Sequence, residues 1–414
     1  MKILFLAGGS QGDVAPFTGL GVRLRQAGHE VAIATQPRFA ELVGAGGLEF
    51  RALPGELRRE LSPLRQATDF VRQLGEGVAA TVAPGDDLLL LAPTTAPLGW
   101  SLAEAHGIQS IGVYLQPVHP TAEFAPAVGA GRSLGRWGNR AAGHVSLRLV
   151  DRVYGPTVTR LRAGLGLPPM TAGATRRRQE AAGWPVLYGY SPSVLPRPAD
   201  WRSGLDVVGN WWPFDTQLTD HQLLAELADF LQAGPPPVFI GFGSMGGGEG
   251  ERLSELAVRA LRRARVRGVV QAGWAGLSGT GEDVITVGEL PHAALFPRMA
   301  AVVHHAGAGT TAAALRAGVP AVPVPVLGDQ PFWANLLARL GAGTDPIPFK
   351  SLTADRLAAA ITRATGDPVH RTRATALAGR LAAEDGAGRA VELIERTATE
   401  AGVGGGTCRG RGSV

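Results

Sequence analysis

Ala301-Val302-Val303-His304-His305-Ala306-Gly307-Ala308-Gly309-Thr310-Thr311 reads as a buried strand, a glycine turn and the opening of a helix that runs up to Gly318. Such a turn lets an anion approach backbone N–H groups at the positive end of a helix, with Thr310 as the N-cap or as an extra donor. A diphosphate is the natural ligand. Taken alone, Gly307-x-Gly309-x-x-Ala312 equally describes a tight helix start beside a core histidine.

Working outward, the same unit recurs. Val238–Gly241, Val269–Ala272, Val284–Val287 and Ala321–Val324 are further short apolar runs, alternating with helical patterns such as Glu251–Ala264 and Thr310–Ala317. A second glycine-rich turn, Gly241-Phe242-Gly243-Ser244-Met245-Gly246, follows the first of these strands, and two such turns at strand ends can embrace one ligand. Gly234-Pro235-Pro236-Pro237 is a stiff break, upstream of which the pattern is repeated by Ile3–Ala7, Val31–Thr35, Leu88–Ala92 and Ser110–Tyr114. Phe17, Leu20, Val22 and Leu24, stopped by Gly28, supply the first crossover helix. The fold class is therefore α/β, with two Rossmann-like, doubly wound parallel sheets facing a central cleft. Expected bounds are 1–210 for the first domain, 211–236 for a linker holding Trp211-Trp212-Pro213, and 237–401 for the second domain with its C-terminal helix. The Gly-rich 402–414 is expected to be a disordered tail.

Composition excludes several classes. At 414 residues and 45% hydrophobic, the chain can bury two cores. Its single cysteine, Cys408, leaves no disulfide framework, no cysteine zinc site and no cysteine nucleophile. The net charge is +5, nearly all the base being arginine, with Lys2 and Lys350 the lysines. Those arginines are scattered along helical patterns among acids, and Arg176-Arg177-Arg178 and Arg262-Arg263 read as solvated faces, so no nucleic acid is expected. No run approaches the roughly 20 apolar residues of a membrane span, and the N-terminal apolar run is too short for a signal segment. A soluble cytoplasmic protein, monomer or homodimer, is the expectation.

In the first half, Ile3–Ala7 runs into Gly8-Gly9-Ser10-Gln11-Gly12-Asp13-Val14-Ala15-Pro16. This turn lacks the P-loop lysine and the GxGxxG spacing, and the second strand ends in Thr35-Gln36 rather than in the acid that would take a nicotinamide dinucleotide's ribose. What remains is Asp13, a carboxylate where the cleft opens, placed to accept a proton from a hydroxyl. A Gly-Asp before a helix is also a common N-cap.

Gly12-Asp13-Val14-x-Pro16, His304-His305-x-Gly307-x-Gly309-Thr310-Thr311 and Gly328-Asp329-Gln330-Pro331 together resemble the UDP-glycosyltransferase family of GT-B fold. The likeness is to its actinobacterial natural-product and sterol-glucosyltransferase branches, and it covers Met1 to about Ala401. It implies that Asp13 is the general base, standing where plant members carry a histidine. Ser244, His305, Gly307, Gly309 and Thr310 would hold the donor diphosphate, and Asp329 and Gln330 the donor sugar. Trp274 and the stretch Gly288-Glu289-Leu290 would lie by the nucleobase. The second acidic residue that many members use to orient the histidine has no counterpart near Pro93-Thr94-Thr95. Against these roles, Asp329 and Gln330 before Pro331 also suit a helix cap, and Trp274 suits a core. His119, His144 and His292 read as structural.

The implied reaction is an inverting transfer of a hexose from a UDP- or TDP-sugar to a hydroxyl of an apolar small molecule, a polyketide, macrolide or sterol, by single displacement. Helix amides and His305 would meet the leaving charge, so neither metal nor cofactor is expected. A nucleotide-sugar 2-epimerase or a non-catalytic nucleotide-sugar-binding protein would share the architecture. Leu57 to Val82 and Pro117 to Val150 read as the loops that choose the acceptor, with Phe124, Trp137, Leu134 and Val118 suggesting an apolar pocket.

Overall fold

The computed structural model describes residues 1–56, 63–129, 132–214, 225–243, 249–273, 276–279 and 281–404. The first sheet contains β1 (Lys2–Leu6), β2 (Glu30–Thr35), β3 (Glu49–Ala52), β4 (Leu88–Leu91), β5 (Gln109–Tyr114), β6 (Val186–Tyr188) and β7 (Leu205–Val207), in the order β3-β2-β1-β4-β5-β6-β7. The second contains β8 (Val238–Gly241), β9 (Gly268–Gln271), β10 (Val284–Val287), β11 (Ala301–His304) and β12 (Ala321–Pro323), in the order β10-β9-β8-β11-β12. Every strand pair is parallel.

Continuous apolar runs make these strands because both faces are covered. Leu4, Leu6, Leu89 and Leu91 enter one core, and Ile3, Phe5, Leu88 and Leu90 enter another on the opposite face. That is the period of two a strand imposes, with no solvent side left to be polar. The second sheet divides likewise, Ile240 and Val303 on one face and Phe239 and Val302 on the other.

Strand order reverses between β1 and β4 and again between β8 and β11, the places where open α/β sheets bind ligands beyond their strand ends. Gly8–Asp13 follows β1, Gly243 lies beyond β8, and His305–Thr310 follows β11. Chain order alone thus delivers Asp13, the glycine turn at Gly243 and the turn at His305–Thr310 to the two switch points.

Three expectations are corrected. The segments read as acceptor loops carry the helices Pro63–Gly77 and Gly135–Gly164. The latter escapes a periodicity reading because its buried face includes Asn139 and Gly143 beside Leu147 and Tyr154, while its exposed face carries apolar residues. The stretch read as linker contains the helix Ala225–Gln232, whose Leu227 belongs to the second domain's core.

The C-terminal helix Gly386–Gly404, assigned from sequence to the second domain, packs on the first. Ala390, Leu393 and Ile394 join the core of Phe17, Leu20 and Leu24. Arg23 and Asp385, 2.8 Å apart, and His29 and Glu395, 3.0 Å apart, fringe the contact. Buried leucine and isoleucine side chains contribute about 1.5–3 kcal/mol each, whereas an exposed ion pair such as Arg23–Asp385 contributes about 0–1 kcal/mol. The apolar stripe, not the charges, therefore holds the two domains together at this end.

Candidate active site

On the first-domain side, the turn after β1 is tied down on every edge. The Gly8 carbonyl accepts from Thr94 Oγ1 at 2.7 Å, Gly9 N–H donates to Gln36 Oε1 at 3.2 Å, and the Gly9 carbonyl accepts from Arg38 at 2.6 Å. Gly9 has φ +147, and a Cβ there would lie 2.6 Å from Asp13 Oδ2, so any other residue would displace the carboxylate. Ser10 precedes the helix Gln11–Gln26, and both its N–H and its hydroxyl donate to Asp13 Oδ2, at 2.8 and 2.7 Å. Asp13 is thus not the N-cap but the third-residue partner of a capping box. One oxygen is held by the turn. The other, Oδ1, makes no hydrogen bond among the described residues. Burial pushes the carboxyl above its ordinary value, with the two Ser10 bonds opposing.

Among the described residues no acid is hydrogen-bonded to Asp13. Thr94 bonds Gly8 as described, and Thr95 Oγ1 donates to the Leu6 carbonyl at 2.5 Å, so these hydroxyls brace the end of β1.

Across the cleft, Ala306 takes the left-handed conformation, φ +63, which costs a residue with a Cβ about 1–3 kcal/mol. Its N–H donates to His304 Nδ1 at 3.1 Å, which fixes the bend. Gly307, not Thr310, is the N-cap of the helix Ala308–Arg316, and no side chain caps it. The N–H groups of Ala308, Gly309 and Thr310 therefore have no partner within their helix and point at the cleft end of the dipole. His305 sits between the two glycine turns. A Cβ on Gly243 would come 3.1 Å from its Cε1, and one on Gly307 2.7 Å from its Nε2. Only glycine admits the ring on both sides. Burial drives His305 down to about 4 and His304 further below the usual histidine range, so both imidazoles are neutral at pH 7.

Asp329 precedes the helix Gln330–Leu340, yet its side chain makes no capping bond. It accepts instead from Trp333 Nε1 at 2.8 Å. Gln330 Oε1 accepts from the N–H groups of Val326 and Leu327, at 2.8 and 3.1 Å, so its carbonyl end braces the turn that presents Asp329. Burial raises Asp329 to about 6, with a further push from the charge of Asp13. Asp329 thus lies within the field of Asp13, which belongs to the opposite domain. The domains also touch directly, Phe332 against Phe124 with ring centroids 5.5 Å apart and Trp333 against Tyr190 at 6.1 Å.

Ser244 and Trp274 lie outside the described residues. Leu290 is half-buried against the second domain's core. The apolar set read as an acceptor pocket does not hold together: Phe124 is buried at the domain contact, whereas Leu134 and Trp137 are 60% and 92% exposed. His119 bonds the Tyr188 hydroxyl and faces Glu180 at 3.3 Å, and His292 stacks on Phe296, which gives both structural places. Ser10, Gln36 and Trp333 were missed from sequence. Ser10-x-x-Asp13 carries the spacing of a capping box, and Trp333 stands four residues after Asp329, one helical turn on. Among the described residues no group of three His, Cys, Asp or Glu side chains could hold a metal.

Two parallel Rossmann-like domains with this cleft define a GT-B glycosyltransferase fold, which solved structures share. The kitacinnamycin glycotransferase superposes with a TM-score of 0.74 at 22% identity, over 95% of this chain and 98% of that one. The glycosyltransferase VinC in complex with dTDP gives 0.66 at 20% identity, over 97% and 100%. Residues 3–82 match the Glycosyltransferase family 28 N-terminal domain, and residues 271–395 the Erythromycin biosynthesis protein CIII-like, C-terminal domain. The chain is 36% identical to the O-mycaminosyltylonolide 6-deoxyallosyltransferase of Streptomyces fradiae, over 96% of its length and 98% of that enzyme. It is 34% identical to the vancomycin aglycone glucosyltransferase of Amycolatopsis orientalis, over 95% and 97%. A sterol 3-beta-glucosyltransferase of Arabidopsis thaliana is 33% identical over 95% of this chain, which spans 65% of that longer protein. The protein belongs to this family of glycosyltransferases.

Proposed function

We propose that the protein is an inverting glycosyltransferase that moves a hexose from a UDP- or TDP-sugar onto a hydroxyl of an apolar small molecule. The observation that carries this reading is the pairing of Asp13, with one carboxylate oxygen unbonded, and Asp329 across one cleft whose floor is an uncapped helix N-terminus. The acceptor O–H gives its proton to Asp13 Oδ1 while its oxygen bonds the anomeric carbon. The bond from that carbon to the diphosphate oxygen breaks on the opposite face, inverting configuration. Burial makes Asp13 a stronger base than an ordinary carboxylate.

The charge that leaves with the diphosphate meets the free N–H groups of Ala308, Gly309 and Thr310 and a ring N–H of His305, preorganised donors that supply what a metal otherwise would. Asp329 receives hydroxyls of the sugar. Acceptor chemistry follows the relatives, which act on a sterol, on O-mycaminosyltylonolide and on the vancomycin aglycone. The lone cysteine, Cys408, suits a reducing, cytoplasmic setting.

The test is a mass-spectrometric screen of UDP- and TDP-sugars against sterols and polyketide aglycones, with a donor-only arm. A mass gain of one hexose on an acceptor supports the reading. Sugar isomerisation in the donor-only arm, or donor binding with no product in any arm, contradicts it.

A further inference from the structure

The helix Gly135–Gly164 presents two unusual rows of side chains to solvent. Residues four apart on a helix form a straight ridge. One such ridge is Trp137, Ala141, Val145 and Leu149, with Trp137 92%, Val145 52% and Leu149 61% exposed. The ridge beside it is Arg140, His144, Arg148 and Arg152, exposed throughout. Four consecutive positions of apolar ridge span roughly 18 Å along the axis.

The charge here is one-sided. Residues 132–152 contain Arg132, Arg136, Arg140, Arg148 and Arg152 against the single acid Asp151, and that acid is bonded to Arg176 at 2.8 Å. Arg140 reaches Asp200 only at 4.0 Å. Arg136, Arg148 and Arg152 form no ion pair among the described residues. The opposite face of the helix is anchored: Asn139 Nδ2 donates to the Ala122 carbonyl at 3.2 Å, and Gly143 packs against Pro120. The exposed ridges are therefore held rigidly rather than displayed by chance. A contiguous apolar strip on a domain surface marks an interaction surface, and a surface that is apolar, aromatic at one end and flanked by a ridge of three arginines and a histidine is complementary to an anionic lipid interface.

We infer that this helix docks the protein reversibly on anionic membrane surfaces, its Trp137–Leu149 ridge entering the headgroup boundary and its arginine ridge meeting lipid phosphates. No helix among the described residues is long and apolar enough to cross a membrane, so the contact is peripheral. The segment bonded behind the helix includes Phe124, which touches Phe332 at the domain contact.

The full chain is mixed with vesicles of phosphatidylcholine alone, or with about a third phosphatidylglycerol, and floated on a density gradient. The wild type should float with the anionic vesicles only and be released by high salt. Arg148→Gln with Arg152→Gln should lower the partition coefficient about 30-fold, at about 1 kcal/mol per arginine. Trp137→Ser with Leu149→Ser should lower binding while melting temperature and turnover of a water-soluble acceptor stay unchanged. Three outcomes overturn the inference: no flotation of the wild type, equal flotation of wild type and both variants, or a solution dimer that Trp137→Ser dissociates, which would make the face a contact between copies. Binding is read without turnover, so its failure leaves the transferase reading untouched.

Discussion

Trp333 donates its indole N–H to Asp329 Oδ2 at 2.8 Å, and the same ring meets Tyr190 of the first domain edge-on at 6.1 Å. The carboxylate assigned to the donor sugar is thus aimed by a side chain that the opposite domain buttresses. Asp329 can only accept hydrogen bonds when ionised, so a sugar that it binds would turn a hydroxyl to it. Wild type is expected to favour a donor with free 3- and 4-hydroxyls over its deoxy analogues by about 10⁴ in kcat/KM. Asp329→Ala should erase most of that ratio. Trp333→Phe keeps the ring contact and removes the donor, so it should lower kcat/KM for the parent donor by about tenfold or more. Equal use of parent and deoxy donors by the wild type would place sugar recognition elsewhere.

Asp329 also sets a stability dependence. Its folded pKa of about 6 exceeds the unfolded value of 3.8, so the native state holds a proton that the unfolded chain has released. The group's favourable contribution is full below about pH 4 and is lost as pH rises through about 6. Asp329→Asn removes the buried charge and can keep the Trp333 bond. It should stabilise the protein by about 1–3 kcal/mol at neutral pH and by little near pH 4. Thermal melts of both proteins across that window are the check. A constant difference would show that the titration is not responsible.

His305 is neutral in the free protein, with its pKa driven down to about 4. A diphosphate beside the ring favours the imidazolium, so the bound pKa is higher and binding takes up protons. Donor affinity should therefore rise as pH falls from about 7 to about 5. His305→Gln keeps a hydrogen-bond donor that does not titrate, so the ratio of wild-type to variant affinity should widen over the same range. Calorimetry in buffers of differing ionisation enthalpy measures the proton uptake directly. A ratio independent of pH would remove His305 from the phosphate site.

The sheets were legible because their strands are apolar on both faces: Leu88–Leu91 and Ala301–Val303 need no partner to be recognised. The glycine turns after β8 and β11 were legible because Gly243 and Gly307 directly follow apolar runs, where glycine marks a strand end. The strands β6 and β7, three residues each, are too short to show a period. The helix Gly135–Gly164 hid behind its buried asparagine and glycine. Asp13 was visible as a carboxylate, but its division into one tethered and one open oxygen belongs to three dimensions. So does the return of the C-terminal helix to the first domain, a pairing between residues far apart in the chain.

Metal independence is a separate expectation. The amides opening the helix Ala308–Arg316 are uncapped, and in the proposed reaction their partial positive charge would meet the leaving diphosphate, fixed before reaction. Turnover should survive excess EDTA unchanged. Loss of activity with chelator, restored by Mg²⁺ or Mn²⁺, would contradict this.

The role of Asp13 is the centre of the account, and Asp13→Asn isolates it. The amide oxygen can still accept from Ser10, so the capping box, the fold and donor affinity should persist. The side chain can no longer take a proton. With donor saturating, single-turnover glycosylation of an accepted aglycone by the variant should fall by about 10² to 10⁴ relative to wild type. Near wild-type rates in a folded, donor-binding Asp13→Asn protein would contradict the assignment of Asp13 as the base.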